Sequence, residues 1–256
     1  MRLLAFAIAM LATAMLTMPG PANADEINAF ISTAIKSVTD ELLPPFERAS
    51  GNTVHAIYAP PGALLRRFEA GEPGDIFLTG SNAIDKLIGE GKVLPGRTDL
   101  AKTGIGICIR KGAPKPDVST VEAFKRALLA AKSVAYASPA SGSITAPHIL
   151  AMFVQLGIAD QMTPKSVLSA GGPNGRVSVL VSSGEAEIGL QQASELLSNP
   201  DVEVIGMLPA ELQQTTIYSG GISASAKNAA GARALIKAFT TPDAVAMFKS
   251  KGLDPL

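Results

Sequence analysis

Apolar residues recur along this chain in two alternating rhythms, short continuous runs and spacings of three to four. The run at Glu26–Ile31 predicts a strand, and Ile35, Val38, Leu42, Leu43 and Phe46 place one apolar face on a helix over Ala34–Ala49. Gly51 follows, where a helix end favours a residue free to take positive φ. Thr53–Tyr58 predicts a second strand, Ala63–Ala70 a helix, Asp75–Leu78 a third strand and Ser81–Glu90 a helix closed by Gly91. Strand–helix units in such quick succession predict a mostly parallel sheet covered on both faces.

The pattern then repeats with different punctuation. Thr103–Arg110 reads as one apolar strand, followed by the loop Gly112-Ala113-Pro114-Lys115-Pro116. Ser119-Thr120-Val121-Glu122 is a capping box that starts a helix at Thr120 and carries it to about Ala131. Strand Ser133–Ala137, the small-residue turn Ser138–Ser143 and a helix through Leu156 come next. Past Thr163-Pro164 lie a strand at Ser166–Leu168, the glycine turn Gly171–Gly175, a helix to Ser183, strand Glu187–Leu190 and helix Ala193–Leu197. Gln213–Ala224 is a long β-prone stretch. Two helices close the chain, the last with Thr241 as N-cap, Pro242 at its first position and Gly252 beyond its end. The expected architecture is α/β with two lobes joined by long strands. Residues 25–104 with 217–256 form one lobe, and 105–216 form the other.

The first 24 residues stand apart from this pattern. Arg2, the apolar run Leu3–Leu16, Pro19-Gly20-Pro21 and Ala22-Asn23-Ala24 have the order of a cleaved secretory signal. The run is too short to span a bilayer comfortably, so no membrane insertion is expected after cleavage. Export to a bacterial periplasm is the simplest destination. Removal after Ala24 takes away Arg2 and leaves one more acid than base among the 22 basic and 22 acidic residues of the whole chain. That balance argues against a nucleic-acid partner, which selects for a basic excess. Aromatics at 5% weaken any stacking mode of binding, and a single cysteine excludes disulfide frameworks and Cys-rich metal sites. No cofactor or metal is expected.

Candidate catalytic groups are sparse. His55 falls inside a strand, while His148 lies one turn into the helix after Ser141-Gly142-Ser143. No nucleophile elbow, HExxH pair or phosphate-binding loop is present. Glu185 sits at a turn into a strand, and Cys108 lies within an apolar one, where a thiol is inert. Binding has more support. Small hydroxyl or glycine residues mark the strand-to-helix junctions at Ser32-Thr33, Pro61-Gly62, Gly80-Ser81, Ser138–Ser143 and Gly172–Gly175. In open α/β sheets such junctions gather at the carboxyl ends of the strands, where ligands bind. Helix N-termini there favour anions, and Arg176 can clamp a carboxylate. A purely structural secreted protein would have no use for that clustering.

Phe46-Glu47-Arg48-Ala49-Ser50-Gly51 and Glu69-Ala70-Gly71-Glu72-Pro73-Gly74-Asp75-Ile76-Phe77 resemble the periplasmic molybdate-binding proteins of ABC transporters. The resemblance continues through Lys86–Val93, Gly184–Leu190 and the closing helices. It implies a type II periplasmic-binding-protein fold, two α/β lobes joined by two crossing hinge strands, acting as a monomer with an ABC permease as partner. Asp99–Gly106 and Gly112–Asp117 look like a divergent branch, which also resembles bacterial aconitate isomerase. Three positions depart from the molybdate pattern. Ala34 stands at the ligand serine, Tyr58-Ala59-Pro60-Pro61-Gly62 replaces a serine run, and Gln192, preceded by Gln191, replaces a tyrosine. Each donor lost from a charged ligand costs roughly 1.5–3 kcal/mol, which argues against molybdate.

The expected function is capture of a small anion, an oxyanion or a small carboxylate, between the lobes for transport. The expected ligand set is Ser32, Thr33, Gly62, Ser141, Ser143, Asn174, Arg176, Gln191 and Gln192. The alternative is isomerisation of aconitate, a 1,3 proton shift that needs one base, with His148 and Glu185 as candidates.

Overall fold

The computed structural model describes residues 25–171 and 176–256. The expected leader over 1–24, and Asn174 within the glycine turn, lie outside the described residues. The elements in chain order are β1 (Glu26–Ser32), α1 (Lys36–Ser50), β2 (Thr53–Ala59), α2 (Pro61–Glu69), β3 (Ile76–Gly80), α3 (Ser81–Gly89) and β4 (Thr98–Thr103). They continue with β5 (Ile105–Arg110), α4 (Val121–Ala130), β6 (Val134–Ala137), α5 (Thr145–Gln155), α6 (Ala159–Met162), β7 (Ser166–Ser169), α7 (Val177–Ser182), β8 (Ile188–Gln192), α8 (Ala193–Leu197) and β9 (Val202–Met207). The chain closes with β10 (Thr216–Ile222), α9 (Ala229–Ala238), α10 (Pro242–Ser250) and β11 (Asp254–Pro255).

The strands form two sheets, ordered β11-β4-β10-β3-β1-β2 and β7-β6-β8-β5-β9. In the first, β1 runs parallel to β2 and β3, while β10 is antiparallel to β3 and β4. In the second, β6 runs parallel to β7 and β8, while β5 is antiparallel to β8 and β9. Each sheet has a separate apolar cluster on either face. Ile31, Val38 and Phe248 belong to one side of the first and Phe30, Leu64 and Phe77 to the other. Ile107, Phe124 and Phe153 lie on one side of the second and Cys108, Val177 and Leu196 on the other. Coverage on both faces explains why the strands read as continuous apolar runs rather than alternating ones.

The expected strand over Thr103–Arg110 is corrected to two. β4 belongs to the first sheet and β5 to the second, and Gly104 sits between them. The polar residues Asp99 and Lys102 hid β4 from a search for apolar runs. The chain crosses back between Leu212 and Thr216. Gln213 ties the two crossings together: its Oε1 accepts from Ile105 N at 2.7 Å and its Nε2 donates to Ile105 O at 3.1 Å. A Cβ on Gly104 would lie 2.8 Å from Gln213 Cδ, so a larger residue would have to displace this amide from Ile105. β9 is a second addition, an edge strand beside β5 that the sequence reading left out.

Asp75, the last residue of the EAGxPxD segment, is 2% exposed and holds the first sheet to its closing helices. Its carboxylate accepts from Asn28 N at 2.8 Å, Lys227 N at 2.6 Å and Asn228 N at 3.1 Å. The most specific piece of the sequence resemblance therefore serves packing and lies away from the strand ends described below.

Cys108 is fully buried in β5, and burial pushes its thiol up to about 12 against a hydrogen bond with the Gly189 backbone. A thiol that is neither ionised nor reachable does not react. The native protein is expected to show no free thiol to a disulfide-exchange reagent at pH 8. One equivalent should appear in denaturant, and labelling under native conditions would contradict the burial.

Candidate functional site

The parallel strands of the two sheets point their carboxyl ends toward a shared cleft. β1 delivers Ser32 and Thr33, β2 delivers Tyr58 and Pro60-Pro61, and β6 delivers the turn that holds Ser141 and Ser143. β7 delivers Ser169, and Arg176 stands at the start of α7. β8 delivers Gln191 and Gln192, with Glu195 one turn into α8. Tyr218 of β10 closes the floor. These residues line a cavity of about 200 Å³. The arrangement follows from topology, because strand ends in open α/β sheets leave helix N-termini and loop backbone facing a crevice.

Local bonding prepares several donors. Ser32 N-caps the turn before α1, accepting from Ala34 N at 3.4 Å. Ser143 and Thr145 share a hydroxyl contact at 2.9 Å, and Thr145 donates to Gln191 Oε1 at 2.9 Å. Gln192 N also donates to that oxygen at 3.1 Å. With its oxygen so occupied, the Gln191 amide offers its NH2 to the cavity it lines. Gln192 instead donates across the lobes to Thr216 Oγ1 at 3.0 Å, and its own Oε1 is buried without a protein partner.

Five charged or titratable groups, Lys36, Tyr58, Arg176, Glu195 and Tyr218, complete the lining. Lys36 pairs with Asp40 at 2.6 Å and sits 4.7 Å from the Tyr58 ring centre. Arg176 forms no ion pair within 4.0 Å among the described residues. Glu195 is the one carboxylate lining the cavity among the described residues. Burial pushes its pKa above the ordinary glutamate range, while the Thr33 hydroxyl and the Arg176 charge pull it down. Burial also raises Tyr218, Glu195 raises it further, and Ser32 opposes with a hydrogen bond.

Of the residues expected from sequence, the structure brings Ser32, Thr33, Ser141, Ser143, Arg176, Gln191 and Gln192 to one cavity. Gly62 stands at its rim, where its N–H donates to Gly142 O at 2.9 Å. His148 and Glu185 are not among the lining residues. The His148 Nε2 meets Leu212 O at 2.7 Å, and Glu185 is exposed and accepts from Ser183 Oγ at 3.0 Å. Lys36, Tyr58, Thr145, Ser169, Glu195 and Tyr218 line the cavity and were not foreseen. Lys36 and Thr145 were within reach of sequence reasoning, each lying just past a marked junction. Tyr218 comes from a strand far along the chain and carries no local signal.

The rim contact joins the lobes backbone to backbone. Arg66 Nη2 supports it with 3.5 Å bonds to Ala140 O and Ser141 O. Gly142 has φ +83°, and a Cβ there would lie 2.5 Å from Ala63 N. That clash is felt only when the two lobes meet, so it opposes closure, and Gly142→Ala is expected to weaken ligand binding about tenfold or more. Each lobe should keep its circular dichroism. Unchanged affinity by calorimetry would show that the rim contact is dispensable.

With two α/β lobes, two crossings and a cleft between strand ends, the fold is that of a periplasmic binding protein. The family of bacterial extracellular solute-binding proteins matches residues 27–254, and the chain belongs to that family. It is 35% identical over 231 residues to the aconitate isomerase of a Pseudomonas species, covering 88% of this chain and 86% of that protein. It is 26% identical to the molybdate-binding protein ModA of Escherichia coli, covering 91% of each. Among solved structures, the periplasmic molybdate-binding protein of Azotobacter vinelandii superposes with a TM-score of 0.71 at 20% identity, over 89% of this chain and 98% of that one. No helix among the described residues is long and apolar enough to cross a membrane.

Proposed function

We propose that this protein, exported to the periplasm through a cleaved leader, captures a small polycarboxylate between its lobes as a monomer and presents it to an ABC permease. The observation that carries this reading is the cavity itself, where Arg176 and Lys36 face hydroxyl and amide donors from both sheets. Ser32, Thr33, Ser141, Ser143 and Gln191 would bind carboxylate oxygens, and Arg176 would clamp one carboxylate through two parallel bonds. Ligand contacts to both lobes would favour the closed arrangement.

A second reading is isomerisation of the bound ligand on the same scaffold. Two observations favour it: the 35% identity to an aconitate isomerase, and a carboxyl group, Glu195, held against the cavity. Fold alone does not separate binder from enzyme.

Thermal unfolding of ligand-stripped mature protein tests the first reading. A ligand at a hundred times its Kd stabilises by about 2.7 kcal/mol. Tricarboxylates such as trans-aconitate are expected to raise the melting temperature more than molybdate, tungstate or sulfate at equal concentration. Stabilisation by the oxyanions alone would sink the carboxylate assignment.

A further inference from the structure

We propose that Glu195 is the proton-transferring group of this cleft, taking a proton from carbon on a bound unsaturated polycarboxylate. The inference rests on the carboxylate reading above and deepens it. A proton shift needs one base beside the ligand, and the titratable side chains lining the cavity are few. Lys36 already pairs with Asp40 at 2.6 Å. An arginine guanidinium, such as that of Arg176, is a donor and not a base. Burial raises both Tyr58 and Tyr218, so neither offers a phenolate near neutral pH. Tyr58 is also engaged with Thr39 at 2.8 Å. His148 is turned to the Leu212 carbonyl, outside the lining. Glu195 remains.

Its position suits the task. Glu195 lies in the first turn of α8, directly after the Gln191-Gln192 strand end, so a rigid element carries it to the cavity wall. Arg176 and the Thr33 hydroxyl flank it, which keeps a charged carboxylate tolerable inside the protein. Burial raises its pKa above the ordinary glutamate value, which strengthens the carboxylate as a base. In the step itself, the Glu195 carboxylate removes a proton from the methylene flanking the double bond. The C–H pair moves into a conjugated dienolate stabilised by the cationic side chains. The double bond shifts by one carbon, and Glu195 returns its proton to the former vinylic carbon. No atom is gained or lost, the ligand is neither oxidised nor reduced, and Glu195 ends as it began.

The test combines binding and isotope exchange on the mature protein, with trans-aconitate as probe in D2O. The unmodified protein is expected to be stabilised by the probe, to introduce deuterium at the methylene and vinylic carbons by NMR, and to form the cis isomer. Glu195→Gln keeps the shape and is expected to retain probe-induced stabilisation while exchange falls by about 10²–10⁴-fold. Glu195→Asp, which withdraws the carboxylate by one methylene, should bind and exchange at an intermediate rate; it also decides the matter if the glutamine variant does not fold. Exchange by either variant at the unmodified rate overturns the assignment of Glu195. Binding with neither deuterium incorporation nor isomer formation by the unmodified protein overturns the proton-transfer inference and leaves capture standing. Absence of any stabilisation overturns the carboxylate reading, and the inference falls with it.

Discussion

Arg176→Ala should weaken binding of the carboxylate ligand by about 2–4 kcal/mol, roughly thirty- to thousand-fold, with little change in the stability of the free protein. The expectation follows from where the charge sits. Arg176 lines the cleft, yet no carboxylate lies within ion-pair distance among the described residues, so its guanidinium is open to a ligand. Net charge cannot supply the attraction, because acidic and basic residues balance over the chain. The attraction must be local. Lys36 contributes less, since Asp40 already shares its charge. Arg176→Lys should recover only part of the affinity, because an ammonium cannot make the planar pair of bonds. Calorimetric titration of the three proteins measures both steps. An alanine variant that binds as tightly as the parent would place the anion elsewhere.

Asp75→Ala should destabilise the fold by about 3–5 kcal/mol, because removal of one buried carboxylate strands several donors at once. Asn28 N, Lys227 N and Asn228 N would each lose a partner inside the protein. Those donors belong to β1 and to the segment entering α9, so the loss loosens the first sheet from the closing helices. Ligand contacts are untouched, which separates this variant from Arg176→Ala. The pH dependence carries a sign. Burial raises the Asp75 pKa, but hydrogen bonds from Asn28, Asn228 and Lys227 outweigh it and hold the group below its ordinary value of 3.8. A depressed carboxylate stabilises the fold above its unfolded pKa, and that contribution is lost as pH falls through the folded value. The stability gap between parent and variant should therefore be constant above about pH 5 and shrink in stronger acid. Urea titrations across that range read it directly. A gap that persists into strong acid would contradict the hydrogen-bonding account.

Much of the site was legible because its chemistry is attached to local grammar. Ser32-Thr33 closes β1 and Ser141-Gly142-Ser143 lies in the turn between β6 and α5, and topology gathers such junctions at one edge; Gln191 and Gln192 were legible only through the family resemblance. The proton-carrying candidates were less legible. His148 is near Ser143 in sequence, but a helix turns successive residues to different sides, and that side meets Leu212. Glu195 looked like an ordinary acidic residue in a first helical turn, where the helix dipole alone would account for it. Only its half-buried place on the cavity wall, beside Thr33, Arg176 and Tyr218, marks it out.

The same division runs through the fold. Apolar periodicity, the capping box at Thr120 and the glycine ends determined the α/β class and the approximate place of its helices, because these are short-range preferences of the backbone and of one buried face. Periodicity could not divide Thr103 from Ile105. Both are buried, and the residue between them differs only in lacking a side chain. The tertiary structure decided that division, since β4 and β5 belong to different sheets and Gln213 must pass within contact of Gly104. It also decided which acid faces the ligand. A helical acid has the same sequence signature on a solvated surface as on a cavity wall, and only the approach of β1, β7 and β10 separates the two.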